Sequence, residues 1–146
     1  MSTESTRPEP PVTSPSIIVL TLARRVEAEL NAALAPLDLT VARLALLGHV
    51  ASLPGASFSE LARMGGVTVQ SVHTGIRALQ SAGLVRDLTA RAGSASEIEL
   101  TPAGTNLLGK AREVISAVDE TMFGPEAEPV SREIAETVRR AFAPGG

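Results

Sequence analysis

The sequence predicts a mainly α-helical fold with one small β-hairpin, and three observations support this. Apolar residues recur at helical spacing through most of the chain after residue 14. Ser-Pro, Thr-Pro and Ser-x-x-Glu segments precede three of these stretches, and each is a helix-start signal. Two short segments on either side of residues 89–95 are suited to paired strands. A chain of 146 residues with 44% hydrophobic content can form one such domain with a real core.

Composition excludes several classes of site and of protein. The absence of cysteine excludes thiol redox sensing, disulfides and thiolate metal sites. The two histidines, His49 and His73, have no metal-ligand spacing, so no metal and no cofactor are expected. No apolar run approaches the length of a membrane span and no signal peptide is visible. A soluble cytoplasmic protein without a membrane partner is therefore expected.

The charge of the chain is unevenly distributed. The net charge of −3 is not that of a strongly basic DNA-binding domain. Between Ser57 and Arg91, however, there are four arginines and two acids, while acidic residues gather between Glu126 and Glu136. The distribution of charge matters more than the sum, so nucleic acid stays open as a partner.

The N-terminal region divides into an arm and a helix. Residues 1–14 are rich in Ser, Thr, Glu and Pro without an apolar period, which predicts a disordered arm. Ser14 is a candidate N-cap for a helix from Pro15 to about Ala35. Because the start of this helix is apolar on nearly every side, we expect it to be buried against a second subunit. The alternative is that it crosses the core of its own chain.

The next segments predict a helix-turn-helix. A second helix runs from Leu39-Thr40 to about Leu53. Ser57 and Glu60 form a capping-box pattern that begins a short third helix ending near Met64. Gly65-Gly66 then supplies a tight turn. A longer helix follows, with Thr68 as its N-cap and Gly83 as its left-handed terminator. A short helix, a glycine turn and a longer helix match the helix-turn-helix pattern.

This longer helix has two distinct faces. Its apolar side is predicted to hold Val69, Val72, Ile76 and Leu79. Amide, hydroxyl, imidazole and guanidinium groups, without a carboxylate, occupy the other side, and such groups read base edges and phosphates in a DNA groove. The alternative is an ordinary solvated helix face. The candidate DNA-binding residues here are Gln70, Ser71, His73, Thr74 and Arg77.

A hairpin and two further helices complete the chain. Strands over residues 84–88 and 96–100 flank a loop whose Arg91 is the candidate wing contact with a DNA minor groove. Thr101-Pro102 begins a long helix to about Met122. The last helix, from Val130 to Phe142, is amphipathic. Its predicted inward residues are Ile134, Val138 and either Phe142 or Ala141.

At this point the sequence resembles the MarR family of winged helix-turn-helix transcriptional regulators, over roughly residues 15–122. The order and spacing of several short segments carry the resemblance together. These segments are Leu39-Thr40, Ser59-Glu60-Leu61-Ala62, Val67-Thr68, Ala78-Leu79-Gln80 with Gly83-Leu84-Val85, and Leu100-Thr101-Pro102-Ala103-Gly104.

The resemblance implies that different parts of the chain bind DNA and form the dimer. Residues 39–101 would form the winged helix-turn-helix DNA-binding domain. Residues 15–38 and 102–143 would be the N- and C-terminal dimerisation helices. It implies a homodimer that places two recognition helices in successive major grooves of double-stranded DNA, on a pseudo-palindromic operator. A small-molecule effector pocket is often present between the two regions, and the candidate residues near it are Arg43, Leu46, His49 and Val50.

Two positions depart from the pattern of the family. The wing of the family usually has an Asp and Arg pair near its tip, whereas the matching stretch here is Ala92-Gly93-Ser94. Gly75 also lies inside the recognition helix, where a larger apolar residue is usual. A glycine there costs about 1 kcal/mol relative to alanine.

The sequence therefore favours a dimeric, sequence-specific DNA-binding regulator, a repressor that a small ligand relieves. The alternative is a winged-helix dimer that has lost DNA binding and acts as a protein-interaction module. An enzyme is the least favoured class, because the chain has no thiol, no metal-ligand spacing and no glycine-rich phosphate loop.

Overall fold

The computed structural model describes residues 14–89 and 97–145, and their fold is mainly helical with one two-stranded hairpin, as the sequence predicts. The predicted arm, apart from Ser14, and the wing residue Arg91 lie outside the described residues. The elements in chain order are α1 Pro15–Leu34, a 3-10 turn Ala35–Leu37, α2 Val41–Ser52, α3 Phe58–Gly65, α4 Val69–Ser81, β1 Val85–Asp87, β2 Ile98–Leu100, α5 Pro102–Phe123 and α6 Pro129–Phe142.

Side-chain caps begin the helices of the central unit. The hydroxyl of Ser57 accepts the Glu60 N–H at 3.1 Å, and the Glu60 carboxylate accepts the Ser57 N–H at 2.8 Å. The predicted capping box is thus confirmed. Thr68 caps α4 in the same way. The cap expected from Ser14 is wrong, because its side chain makes no cap hydrogen bond. Proline at the first helical position leaves one fewer N–H to satisfy there.

The helix-turn-helix and the hairpin enclose one hydrophobic core. Helices α2, α3 and α4 pack on each other, β1 packs on α4, and β2 packs on α2. The buried residues of this core are Leu47, Val50, Ala56, Leu61, Ala62, Val72, Ile76, Leu79, Val85 and Ile98. Because all three helices and both strands contribute, the orientation of α4 depends on the whole unit.

A second, smaller cluster joins α1 and α5 to α2. Its buried members are Leu34, Leu39 and Ala111. Leu107 on α5 packs against both clusters, so the two cores are continuous. The side-chain oxygen of Asn31 on α1 also accepts the Val41 N–H at 2.8 Å. The first N–H of α2 is therefore satisfied by a residue of α1.

The end of α4 leads directly into the hairpin. Gly83 has a φ of 75°, the Leu84 N–H donates to the Leu79 carbonyl, and the Gly83 N–H donates to the Gln80 carbonyl. This pair of bonds is a Schellman motif, and it requires the left-handed residue that the sequence indicated. The strands are antiparallel, and their register pairs Val85 with Leu100.

Part of the apolar surface is not covered by the other described residues. Ile17, Ile18, Val19 and Leu20 at the start of α1 are exposed, so this segment does not cross its own core. The prediction that Ile134, Val138 and either Phe142 or Ala141 of α6 point inward is wrong for the single chain, because all four are exposed and Ala135 is buried instead. The small Ala135 side chain allows the backbone of α6 to approach its neighbour α5 closely.

No single helix among the described residues is long and apolar enough to cross a membrane. The segments Pro15–Leu37 and Val41–Ser52 satisfy that length and composition only as a pair, and the pair is bent by 74°.

Gly104, in the first turn of α5, allows α5 to pack against the carbonyl of Leu84, which also accepts the Thr101 N–H. A Cβ at position 104 would collide with that backbone oxygen. We expect Gly104→Ala to lower the free energy of unfolding by about 1–3 kcal/mol, even though alanine favours helix. Urea denaturation measures this change.

Gly109→Ala is the matched control, because it lies in the same helix and a Cβ there meets nothing within 4 Å. It should leave stability unchanged or raise it by up to about 1 kcal/mol. Equal changes in the two variants would contradict the role of Gly104.

Candidate nucleic-acid interface and adjoining pocket

The inner face of α4 determines which residues its outer face presents. Val72, Ile76 and Leu79 are almost completely buried against α2 and α3. Val69 was predicted to be inward, and this is wrong, since 41% of it is exposed. It is the first residue of the helix and lies beyond the edge of the core. The opposite face is directed to solvent, and its exposed members are Gln70, Ser71, Thr74 and Arg77.

Two hydroxyl groups on this face also make local hydrogen bonds. The Thr68 hydroxyl accepts the Ser71 N–H at 3.0 Å and donates to the Ser71 hydroxyl oxygen at 2.9 Å. The proton of Ser71 is therefore available to an outside acceptor. The Thr74 hydroxyl donates to the Gln70 carbonyl at 3.1 Å, which leaves its oxygen lone pairs and its methyl group for other contacts.

His73 occupies a different position from its neighbours on the polar face. It is half-buried, and its ring meets the Phe58 ring of α3 edge to face, with centroids 4.2 Å apart and an interplanar angle of 87°. This geometry is favourable for aromatic pairs. The structure therefore places His73 at the seam between α3 and α4, and restricts the reach of its imidazole toward a DNA groove.

Arg77 is the one arginine of α4, and its guanidinium makes no ion pair within residues 14–89 and 97–145. Within this part of the chain its N–H donors are thus available to a base or a phosphate. A guanidinium can donate two parallel hydrogen bonds to either partner. No acidic residue belongs to α4 to oppose such an approach.

The wing contains a charged pair that sequence reasoning missed. The Arg86 guanidinium forms a salt bridge with the Glu99 carboxylate across the two strands, and both side chains are substantially exposed. Opposite charges on neighbouring strands are the signal for such a pair, but it can be read only once the register is known. Arg86 is held at the base of the wing, near the end of α4.

Asp87 and Thr89 order the last described residues before the tip of the wing. The Thr89 hydroxyl donates to the Asp87 carboxylate, and the Thr89 N–H donates to the same oxygen at 2.8 Å. These two hydrogen bonds stabilise the ionised carboxylate and hold the pKa of Asp87 below its usual value. The Thr89 oxygen also accepts the N–H of Glu97, the residue before β2, at 3.1 Å, which joins the two ends of the hairpin.

A pocket of about 360 Å³ lies between α2 and the first half of α4. Three of the four candidate pocket residues, Arg43, Leu46 and His49, line it. Val50, the fourth candidate, does not line this pocket, since it is 3% exposed and belongs to the core. The sequence did not indicate the other lining residues, which are Glu27, Val41, Ala42, Ala45, Leu61, Gly65, Val67, Ser71, Val72 and Gly75.

The lining of this pocket comes from four helices. Glu27 belongs to α1 and Leu61 belongs to α3. Arg43 and His49 come from α2, and Ser71 comes from the recognition helix. Mostly apolar walls with a few polar groups are typical of sites for small molecules. The pocket also contacts the helix that presents the candidate DNA-binding residues.

These features define a winged helix-turn-helix protein with a pocket beside its recognition helix. The sequence model of the MarR family matches residues 37–92. The HTH-type transcriptional repressor Rv2887 of Mycobacterium tuberculosis is 34% identical over 113 residues, which are 77% of this chain and 81% of that protein. The chain therefore belongs to the MarR family, which confirms the resemblance noted in the sequence.

Solved structures of the same mycobacterial protein are similar to this fold. Its complex with DNA has a TM-score of 0.72 at 27% identity, covering 90% of this chain and 100% of that one. Its complex with salicylic acid has a TM-score of 0.70 at 28% identity, covering 90% of this chain and 98% of that one. The fold thus occurs in a protein whose structure is known both with DNA and with salicylic acid.

Proposed function

We propose that this protein is a dimeric, sequence-specific DNA-binding repressor whose DNA affinity falls when a small molecule occupies the pocket between α2 and α4. The observation that carries the proposal is the outer face of α4. Helix α4 is capped at its start, packs on the core through buried apolar residues, carries no carboxylate and is followed by the hairpin. The related mycobacterial repressor supports it, since its structure is known in complex with DNA.

In this proposal α4 enters the major groove of double-stranded DNA. Gln70 and Arg77 are suited to paired hydrogen bonds with adenine and guanine edges respectively, and Arg77 is equally suited to phosphate. Ser71 and Thr74 add single contacts, and His73 stays nearer the α3 seam. Arg91 remains a proposed minor-groove contact. Because the positive charges are few, we expect a shallow dependence of DNA affinity on salt concentration.

The exposed apolar surfaces of α1 and α6 support dimerisation through residues 15–38 and 102–143. Apolar side chains grouped at the start of α1 and along α6 would lose contact with water in a two-fold interface. A dimer would present two copies of α4, each carried by one 39–101 domain, to two half-sites one DNA turn apart. The expected operator is therefore pseudo-palindromic.

The pocket supports the effector part of the proposal. Arg43 offers a cation to an acidic ligand, and the aliphatic walls suit an aromatic ring. Salicylic acid, bound by the related repressor, has this chemistry. A ligand that binds the DNA-incompetent arrangement more tightly must weaken DNA binding by the same factor as DNA weakens ligand binding. We propose no catalytic role for this protein. We propose that it acts in the cytoplasm.

Changing Arg77 to alanine tests DNA binding. We expect about a 5- to 150-fold loss of affinity for the DNA upstream of the gene of this protein, as for loss of one paired arginine contact. Fluorescence anisotropy at physiological salt measures it, with random DNA as the comparison.

Arg140→Ala is the matched control, since this exposed arginine lies in the last turn of α6, outside residues 39–101, and a variant that light scattering shows to be dimeric should keep its affinity. Wild-type protein without preference for its own upstream DNA would overturn the proposal. An Arg77→Ala variant with normal function would instead favour the protein-interaction module.

Changing Val19 to glutamate tests dimerisation. Val19 is 64% exposed in the single chain, and a charge buried there in an interface would be unpaired. We expect the variant to be monomeric at concentrations where wild-type protein is dimeric, as measured by light scattering after size-exclusion chromatography.

Leu53→Glu is its control, because Leu53 is also exposed but lies at the end of α2, outside residues 15–38 and 102–143. A dimeric Val19→Glu variant would show that α1 does not form the interface.

Salicylate tests the pocket. We expect a saturating concentration to release the protein from its DNA, and Arg43→Ala to raise the concentration needed for half-maximal release. The loss of the cationic partner is the reason. Arg24 is an exposed arginine of α1 that does not line the pocket, so an Arg24→Ala variant that light scattering shows to be dimeric should respond as wild type does. Equal half-maximal concentrations for Arg43→Ala and wild type would contradict a role for Arg43.

A further inference from the structure

Thr101 lies where the hairpin ends and α5 begins, and its side chain joins two helices. Its hydroxyl donates to the Gly83 carbonyl at 2.6 Å and accepts the Gly104 N–H at 3.1 Å. The second bond is the N-cap of α5, whereas the first reaches the left-handed residue that terminates α4. One hydroxyl group therefore links the end of α4 to the start of α5, although Gly83 and Thr101 are 18 residues apart in the sequence.

The backbone of Thr101 binds the next residue of the same segment. Its N–H donates to the Leu84 carbonyl at 3.0 Å, so one residue binds two successive carbonyls after the end of α4. Leu84 leads directly into β1, and Thr101 directly follows β2. The end of α4, the base of the hairpin and the start of α5 are thus joined at Thr101.

These bonds define the direction of α4 more sharply than its buried side does. The buried side chains of α4 are all apolar, and apolar contacts have no preferred direction. A hydrogen bond instead weakens steeply when its length or angle departs from the preferred geometry. The bonds from Thr101 act at the C-terminal end of α4, which is the end nearer to Arg77.

We propose that the Thr101 hydroxyl determines how specifically this protein binds DNA, an inference that rests on the proposed function. By binding the Gly83 carbonyl, it fixes the angle of α4 relative to the hairpin and α5, and so places the Arg77 guanidinium against the bases. Thr101 is a positioning residue, because it acts through α4. Displacement of Arg77 reduces base recognition, but contacts with phosphates are available on any DNA sequence and are largely kept.

Two substitutions of Thr101 separate this role from the capping of α5. Serine keeps a hydroxyl that can make both bonds. Aspartate is as good an N-cap as serine, but its ionised carboxylate has no proton to donate to the Gly83 carbonyl. We expect Thr101→Ser to keep the ratio of affinities for upstream and random DNA within about twofold of wild type, and Thr101→Asp to lower it about tenfold, as for loss of one base contact. Fluorescence anisotropy at physiological salt measures both affinities.

Thr105→Asp is the matched control for the added charge. Thr105 is exposed and lies one turn further along α5, so the same charge is introduced there without loss of the bond to Gly83. This variant should keep the affinity ratio of the wild-type protein. Equal ratios in Thr101→Asp and Thr105→Asp, or a tenfold loss in Thr101→Ser, would overturn the proposal.

Thermal unfolding of each variant separates a displaced helix from an unstable protein. An unstable variant loses folded protein for both DNAs alike, so its affinity ratio stays at the wild-type value. If Thr101→Asp does not fold, Thr101→Val takes its place, because valine has the shape of threonine without the hydroxyl, and a wild-type ratio in folded Thr101→Val would overturn the proposal.

The wild-type protein distinguishes failure of this inference from failure of the proposed function. If it does not prefer its upstream DNA, the proposed function fails and the role of Thr101 fails with it. If it does, a wild-type affinity ratio in the variants that lack the bond to Gly83 overturns the role of Thr101 alone.

Discussion

The attachment of α4 to the core is the interaction on which the rest of this molecule depends. Val72, Ile76 and Leu79 insert between α2 and α3, and together with Leu61 and Leu47 they form the centre of the larger core. Each such side chain contributes about 1.5–3 kcal/mol when buried. Because these apolar residues pack on the core from one side of α4 only, the polar residues on the opposite side must face solvent. Their direction therefore follows from the packing of α4 rather than from their own chemistry.

The elements of the fold were predictable because their signals are local. Ser57 with Glu60, Thr68 and Thr101 each act within one turn of the helix they begin, and all of them cap as predicted. Gly83 has the positive φ that a helix terminator needs. Signals of this kind depend on neighbours along the chain, so the sequence contains them in full.

The parts that could not be predicted depend on contacts between distant segments. Helical periodicity identified the apolar stripe of α6, but periodicity does not say whether its own chain or another surface covers that stripe. The pairing of Arg86 with Glu99 required the strand register. Gly75 stood out in the sequence as an unfavourable helix residue, and only the structure shows that the side chain of Leu46 lies against it.

Within the candidate site, too, the positions of some residues were predictable from the sequence and those of others were not. Three of four pocket residues lie together because they share one face of α2, at a spacing of three residues. Val50 is one residue beyond that spacing and turns into the core instead. His73 shares the polar stripe of α4 by sequence, but Phe58 on α3 holds it at the seam. Such a displacement arises from a neighbouring helix, which the periodicity of α4 does not include.

The hydrogen bond from the Val41 N–H to Asn31 has a consequence for modularity. The first turn of α2 is completed by a side chain from the preceding helix, and Leu107 joins the two hydrophobic clusters from the other direction. Residues 39–101 therefore do not form a self-contained unit, because part of their scaffold belongs to the flanking helices. A substitution at Asn31 or Leu107, both outside this range, would alter the scaffold that holds α4 in place.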